Sequence, residues 1–303
     1  MKLGLIIPYR DRKEQLEIFI NIISKHLQNK NIDYYIIVVE QKNNNLFNRS
    51  KLLNIGANYI YNKIDYLCFH DIDLIPEEKV KYLLDNDTNI SHYIGYLIKN
   101  KNNDIDNNIF YKNKDFNKYF LMFKYKDYTY KPSLGGVTMI KNTIWRENPW
   151  NELFQLWGYE DNEYYIRLKN LHNYKIKQEG YKYISLHYNK IHNIYNYLLN
   201  FSLIDFYNRE IYYNLINRYI FENQLINYSY KKKKNDKNLT LFNSDYKILN
   251  VEDRKSYKLI QVDFDDYKYS YKFLFNVLIY YLINIKIFLP LILSIYGFLS
   301  LIY

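Results

Sequence analysis

The stretch Leu3-Gly4-Leu5-Ile6-Ile7-Pro8-Tyr9 reads as a buried strand, and its alternation with the next helical and apolar segments decides the fold. From Asp11 to Asn29, Leu16, Phe19, Ile20, Ile23 and Leu27 recur at helical spacing, and Tyr34 to Val39 is a second apolar, β-branched run. A further helix is predicted from about Arg49 to Tyr61, followed by a third strand, Tyr66–His70. Strand, helix, strand, helix, strand with short links implies right-handed crossovers and so a parallel, doubly wound α/β sheet. In such sheets ligands bind beyond the carboxyl ends of the strands, where Pro8 to Arg12, Glu40 and Asp71 to Asp73 all fall.

Downstream, residues 99 to 131 are rich in Asn, Lys and Asp and read as a long excursion. Leu134–Ile140 is strand-like, Glu160–Leu171 helical and Tyr174–His187 strand-rich; there is no internal repeat. Beyond His192 aromatic and polar residues mix without a clear period.

A chain of 303 residues that is 48% hydrophobic and 19% aromatic can bury a substantial core, which excludes a disordered protein. Its formal charge of +10 suits nucleic acid, an anionic membrane surface or a phosphate-bearing substrate. The only tight basic block, Lys231 to Lys234, has no nucleic-acid motif around it, so a nucleic-acid partner is not expected. Cys68 is the single cysteine, which excludes an internal disulfide and fits a reducing compartment. Its apolar setting, Tyr66-Leu67-Cys68-Phe69, marks a small buried hydrophobe rather than a nucleophile.

Two acidic segments carry chemistry. In His70-Asp71-Ile72-Asp73-Leu74-Ile75-Pro76 two carboxylates emerge where a hydrophobic strand ends, an arrangement that binds a hard divalent cation through one and orients a ligand through the other. Asp pairs are also common in plain turns. In Trp157-Gly158-Tyr159-Glu160-Asp161-Asn162-Glu163 the acidic residues open a helix, as the helix dipole alone would favour. The adjoining Trp adds a face that packs on a sugar ring, beside a carboxylate able to accept a hydroxyl proton.

Taken in order, Ile6-Ile7-Pro8-Tyr9-Arg10-Asp11-Arg12, Phe47-Asn48-Arg49-Ser50-Lys51-Leu52-Leu53-Asn54-Ile55-Gly56, Asp71-Ile72-Asp73-Leu74-Ile75-Pro76, Gly135-Gly136-Val137 and Trp157-Gly158-Tyr159-Glu160-Asp161 resemble the successive signature blocks of the β-1,4-galactosyltransferases, glycosyltransferase family 7. The likeness runs from about residue 3 to 192, then thinly through Asp205–Arg209 and Ile260–Asp263. It implies a GT-A type, Rossmann-like fold and inverting, Mn²⁺-dependent transfer from a UDP-sugar to an acceptor hydroxyl, with Mg²⁺ as the alternative cation. By the same resemblance Pro8, Tyr9, Arg10, Arg12, Phe47, Arg49 and Asp71 contact the donor. Asp73 and His187 ligate the metal, Glu160 and Trp157 bind the acceptor, and Asp161 is the catalytic base. Gly135 and Gly136 either let the backbone approach the donor or form a plain turn.

The chain departs from the family at two places. Where the family has a metal-binding Met, three residues before His187, stands Ile184, which has no donor atom. Where the galactosyltransferases have a donor-restricting Tyr stands Ser133, which leaves the donor open between UDP-Gal and UDP-GalNAc. A different GT-A transferase, adding GlcNAc or polymerising a polysaccharide, and a catalytically inactive sugar-binding protein are the alternatives. Retention of Asp73, Glu160, Asp161 and His187 together argues against the last.

The C-terminal segment lies outside the resemblance. Residues 273 to 303 carry one charge, Lys286, and the run from Ile287 to Tyr303 would span roughly 25 Å as a helix, near the lower limit for a bilayer. The expected organisation is a catalytic domain over residues 1–265 and a hydrophobic helical tail over 266–303 that anchors the chain in a membrane or lies on its surface. With Lys268, Lys272 and Lys286 on the domain side of Ile287, the catalytic domain is expected to face the cytosol.

Overall fold

Along the first strand, β1 (Lys2–Tyr9), alternate side chains enter different cores. Leu3, Leu5 and Ile7 join Leu16, Phe19, Ile20, Ile23 and Leu27 of α1 (Lys13–Asn29). Ile6 joins Leu52, Leu53, Ile55, Ala57 and Ile60 of α2 (Arg49–Ile60) on the other face. The same parity holds in β2 (Asp33–Gln41), where Ile36 and Val38 face α1 while Ile37 and Val39 face α2, and in β3 (Tyr66–His70), where Cys68 faces α1 and Leu67 and Phe69 face α2. This is the period-two geometry of a strand covered on both sides, and each fully buried aliphatic or aromatic side chain contributes about 1.5–3 kcal/mol. Close packing of α2 depends on Gly4 and Gly56: a Cβ on Gly4 would lie 2.6 Å from Ile60 Cδ1, and one on Gly56 2.6 Å from Ile6 Cγ2.

The computed structural model describes residues 1–85, 87–100, 120–124, 133–156, 158–186, 216–224, 226, 245–265 and 271–285. Further strands are β4 (Leu74–Pro76), β5 (Ile90–Asn100), β6 (Phe120–Lys124), β7 (Val137–Lys141), β8 (Ile176–Ser185), β9 (Lys247–Asp253) and β10 (Lys258–Asp263). They form one sheet in the order β4-β8-β5-β7-β3-β1-β2-β10-β9, with β6 paired to β5.

The expected α/β class and the β-α-β-α-β start are present, but the sheet is mixed rather than parallel. Strands β3, β1, β2 and β10 run parallel, whereas β7 is antiparallel to both β3 and β5, β4 to β8, and β9 to β10. Parallel neighbours need a crossover, usually helical, and no described helix lies between β3 and β7. Buried strands of either direction look alike in sequence. The other unread feature is β10, which extends the parallel core beside β2 from a region without clear periodicity.

Because β1 pairs with β2 on one side and β3 on the other, a switch point opens at the carboxyl ends of β1 and β3. Between β7 and β8 lie two short α-helices, α3 (Asn142–Glu147) and α4 (Glu160–Ile166), the latter running on as a π turn through Arg167–Leu171. A third cluster, Phe154, Ile216, Ile220, Phe221 and Val277, packs the helix 216–224 and the helix Tyr271–Ile285 behind the segment leading into α4. No described helix is long and apolar enough to cross a membrane, and the apolar run beyond residue 285 lies outside the described residues, as does Lys231 to Lys234. Cys68 is buried and free, with its thiol pKa raised by burial, in keeping with a core residue.

Candidate active site

The site is assembled around Arg49, the first residue of α2. Asn48 caps that helix by accepting from Lys51 N at 2.9 Å. It is itself held by the Gln41 side chain, 3.2 Å from Asn48 N, and by donating to Glu152 O at 2.8 Å. Below the guanidinium lies Trp150, 5.2 Å from the charge centre to the ring. So fixed, Arg49 donates from Nε to Asp71 Oδ1 at 2.8 Å and from Nη1 to Asp161 Oδ1 at 3.0 Å. One buried cation therefore joins the strand-end acidic pair to the acidic start of α4.

The switch point gathers the other residues expected to contact a donor. Pro8 and Tyr9 end β1 and are buried, and Asp11 turns the chain with a φ of 52°. Arg10 packs 5.2 Å from the Phe47 ring and donates to Asn45 O at 2.6 Å. Arg12, half exposed, donates to the buried Asp73 carboxylate at 3.0 Å. Asp71 N donates to Gly136 O at 2.9 Å, which ties the acidic turn to the Ser133–Gly136 segment. Gly136 has a φ of +79°, and a Cβ there would lie 2.1 Å from Ile94 Cδ1, so internal packing alone requires glycine. Ser133 is buried, and its Oγ accepts from Gly135 N at 3.0 Å.

At the acidic start of α4, Tyr159 sits in a left-handed conformation, φ 72°. It packs on Phe221 with ring centroids 5.3 Å apart, while Gln155 O accepts from Asn217 at 2.8 Å, so the helix 216–224 braces this segment. Glu160 is buried and accepts from Gly158 N at 3.1 Å. Asp161 is a quarter exposed, and its carbonyl accepts from Leu134 N at 3.2 Å.

Crowding of carboxyl groups shapes the electrostatics. Burial first, then the charge of Asp161, pushes Glu160 up to about 8. Burial likewise raises Asp71 to about 6 against the opposing pull of Arg49, with Asp73 and Asp161 adding repulsion. For Arg49 burial favours the neutral form, but Asp71, Asp161 and Glu160 overcome it and raise its pKa.

Of the residues expected from sequence, Pro8, Tyr9, Arg10, Arg12, Phe47, Arg49, Asp71, Asp73, Ser133, Gly135, Gly136, Glu160 and Asp161 thus converge on one end of the sheet. Trp157, His187 and His192 lie outside the described residues. Ile184, opposite Ile75 in the β4–β8 pair, is packed into the core and offers no donor atom. For a divalent cation, Asp73 is a suitable carboxylate ligand, and its carbonyl accepts from Leu186 N at 2.7 Å, which brings the chain next to residue 187 against it. Among the described residues no group of three or more His, Cys, Asp or Glu could hold a metal alone. Gln41, Asn48, Trp150 and Glu152 are supporting residues that sequence reasoning missed; only Asn48, a cap residue immediately before a predicted helix, carried a local signal.

The matching solved structures share this fold. That of the catalytic domain of Drosophila beta-1,4-galactosyltransferase 7 complexed with xylobiose superposes with a TM-score of 0.57 at 20% identity, covering 88% of this chain and 95% of that one. A mutant of the same protein, complexed with manganese, UDP-Gal and xylobiose, gives 0.55. The fold is therefore of the GT-A type, with a mixed α/β sheet. Residues 1–84 match the family model for the N-terminal region of glycosyl transferase group 7. Beta-1,4-galactosyltransferase 7 of Drosophila melanogaster is 24% identical over 171 residues, 56% of this chain and 45% of that protein. The xylosylprotein 4-beta-galactosyltransferase of Caenorhabditis elegans is 32% identical over 170 residues, 55% of this chain and 50% of that protein. Over its N-terminal region the chain is thus similar to glycosyltransferase family 7, the family of the β-1,4-galactosyltransferases. It spans about half the length of these two relatives.

Proposed function

We propose that the chain is an inverting, metal-dependent glycosyltransferase that moves galactose or N-acetylgalactosamine from a UDP-sugar to a hydroxyl of an acceptor sugar. The observation that carries this is the Arg49 bridge, which holds Asp71 and Asp161 on one guanidinium. Donor and acceptor halves of a group transfer need that proximity.

In this reading Arg10 and Arg12 face the nucleotide diphosphate, Asp71 orients the donor sugar, and Glu160 holds the acceptor. Asp161 takes the proton of the acceptor hydroxyl as its oxygen bonds to the sugar's anomeric carbon and the bond to UDP breaks, a single displacement that inverts the centre. Asp73 and His187 are the proposed protein ligands of Mn²⁺ or Mg²⁺, which when bound offsets the charge developing on the leaving UDP. The Drosophila relative's structure with manganese, UDP-Gal and xylobiose supports starting with those three compounds.

The test is UDP release from UDP-Gal and UDP-GalNAc against a panel of acceptor glycosides that includes β-xylosides, with Mn²⁺ and Mg²⁺ compared. Acceptor-stimulated, chelator-sensitive release that is lost in Asp73→Ala is expected. Release indifferent to chelator would sink the metal-dependent reading.

The reading includes attachment to a membrane through the C-terminal segment, with the catalytic domain on the cytosolic side. Its support is the apolar run Ile287–Tyr303 and two exposed side chains of the preceding helix, Phe275 and Ile279. Carbonate extraction, with protease treatment of sealed membranes, tests it. A full-length chain that stays soluble would end the attachment reading, and a protected catalytic domain the cytosolic one.

A further inference from the structure

Two buried histidines lie directly behind the acidic turn and the glycine turn, and the proposed chemistry uses neither. His70 has no solvent exposure and is enclosed by Phe19, Tyr82 and Tyr183. Its Nδ1 lies 2.8 Å from Asp71 O and its Nε2 2.7 Å from the Tyr82 hydroxyl. A carbonyl can only accept, so Nδ1 carries the proton and Nε2 accepts from Tyr82. The second, His92, is also buried, with Nε2 2.8 Å from Gly135 O and Nδ1 2.9 Å from the atom placed as Gln178 Oε1. Here the carbonyl fixes the proton on Nε2, and the amide, turned by rotation to present its NH₂, donates to Nδ1. Burial lowers the pKa of both rings, His70 to about 4, so both are neutral at pH 7 and each has one N–H to give.

The two carbonyls belong to turns that are already tied, because Asp71 N donates to Gly136 O at 2.9 Å. Asp71 O also accepts from Leu74 N at 3.3 Å. We propose that His70 and His92 are a pair of positioning residues, of opposite tautomer, that hold the Asp71–Asp73 and Gly135–Gly136 turns in the geometry the donor requires. The pairing differs from ordinary core packing because each ring directs its sole donor at one backbone oxygen of a site turn. It rests on the reading of those turns as the donor side.

The substitutions that discriminate are set by geometry: an Asn amide can place its NH₂ near the Nδ1 position of the ring it replaces, and a Gln amide near the Nε2 position. His70→Asn and His92→Gln thus keep the donor, whereas His70→Gln and His92→Asn displace it. In the full chain, long-range ¹H–¹⁵N correlation at pH 7 should find Nδ1–H at His70 and Nε2–H at His92. The donor-keeping variants should hold the KM for UDP-sugar within about threefold of the original. The donor-displacing ones should raise it about tenfold or more, in line with the cost of small displacements at a site. Amide exchange at Asp71 and Leu74 should be faster in His70→Gln than in His70→Asn. An imidazolium or the opposite tautomer at either position would overturn the proposal, as would equal KM and exchange in the two kinds of variant at matched thermal stability. If the unsubstituted chain turns over no UDP-sugar, the transferase reading falls by itself, and tautomer and amide exchange still decide this one.

Discussion

Arg49 and Asp161, 112 positions apart in sequence, meet at 3.0 Å, and the same guanidinium holds Asp71 at 2.8 Å. A planar guanidinium presents its donors to the two carboxylates in fixed directions; an ammonium on a flexible stem is a compact point charge without that fixed fork. Arg49→Lys keeps the charge but loses the fork that fixes Asp71 and Asp161 relative to each other, so turnover should fall about 100-fold with a smaller change in thermal stability. Steady-state kinetics beside a melting curve checks this. A turnover loss no larger than expected from partial unfolding would reduce Arg49 to a structural role.

Asp161→Asn removes the proposed base while keeping size and the contact with Arg49. Turnover should drop by roughly 10² to 10⁴, the range for losing general base catalysis, with UDP affinity nearly unchanged in calorimetric titration. Unaltered turnover would take Asp161 out of the chemistry.

Glu160 couples the site to pH. Its carboxyl is held at about 8 in the folded chain by burial and by Asp161, whereas an unfolded glutamate titrates near about 4.3. Between those values the folded state keeps a proton that the unfolded state has released. This contribution to stability is therefore full below the lower value, declines as pH rises through the interval and is gone above the upper one. The melting temperature should show that downward component across this same interval, and Glu160→Gln should remove it. Parallel profiles for the two proteins would mean Glu160 is ionised throughout.

Ser133, buried with its Oγ on Gly135 N, stands where the resemblance to the galactosyltransferases would put a donor-restricting Tyr. The smaller side chain should let UDP-GalNAc be used at least comparably with UDP-Gal, and Ser133→Tyr should shift the kcat/KM ratio towards UDP-Gal. A strong preference for UDP-Gal that the substitution leaves unchanged would refute the steric account.

Local pattern was enough for the elements that position the donor side. The alternation of Leu3, Leu5 and Ile7 with Ile6, and the helical spacing of Leu16, Phe19, Ile23 and Leu27, reflect burial periods of 2 and 3.6 written directly into neighbouring residues. They fixed β1, α1, β2, α2 and β3, and hence the strand ends where Arg10, Arg12, Asp71 and Asp73 emerge. The Asn48 cap belongs to the same local grammar. Strand direction beyond β3 does not, since a buried antiparallel strand such as β7 is as uniformly apolar as a parallel one, and only the path of the connecting chain sets its sense. Nor could sequence show β10 entering beside β2, Trp150 beneath Arg49, or His70 and His92 on the carbonyls of two tied turns. Apart from the His70–Asp71 contact between neighbours, those relations join residues tens to hundreds of positions apart, and their geometry exists only once the two cores have closed on the sheet and excluded water from the groups between them.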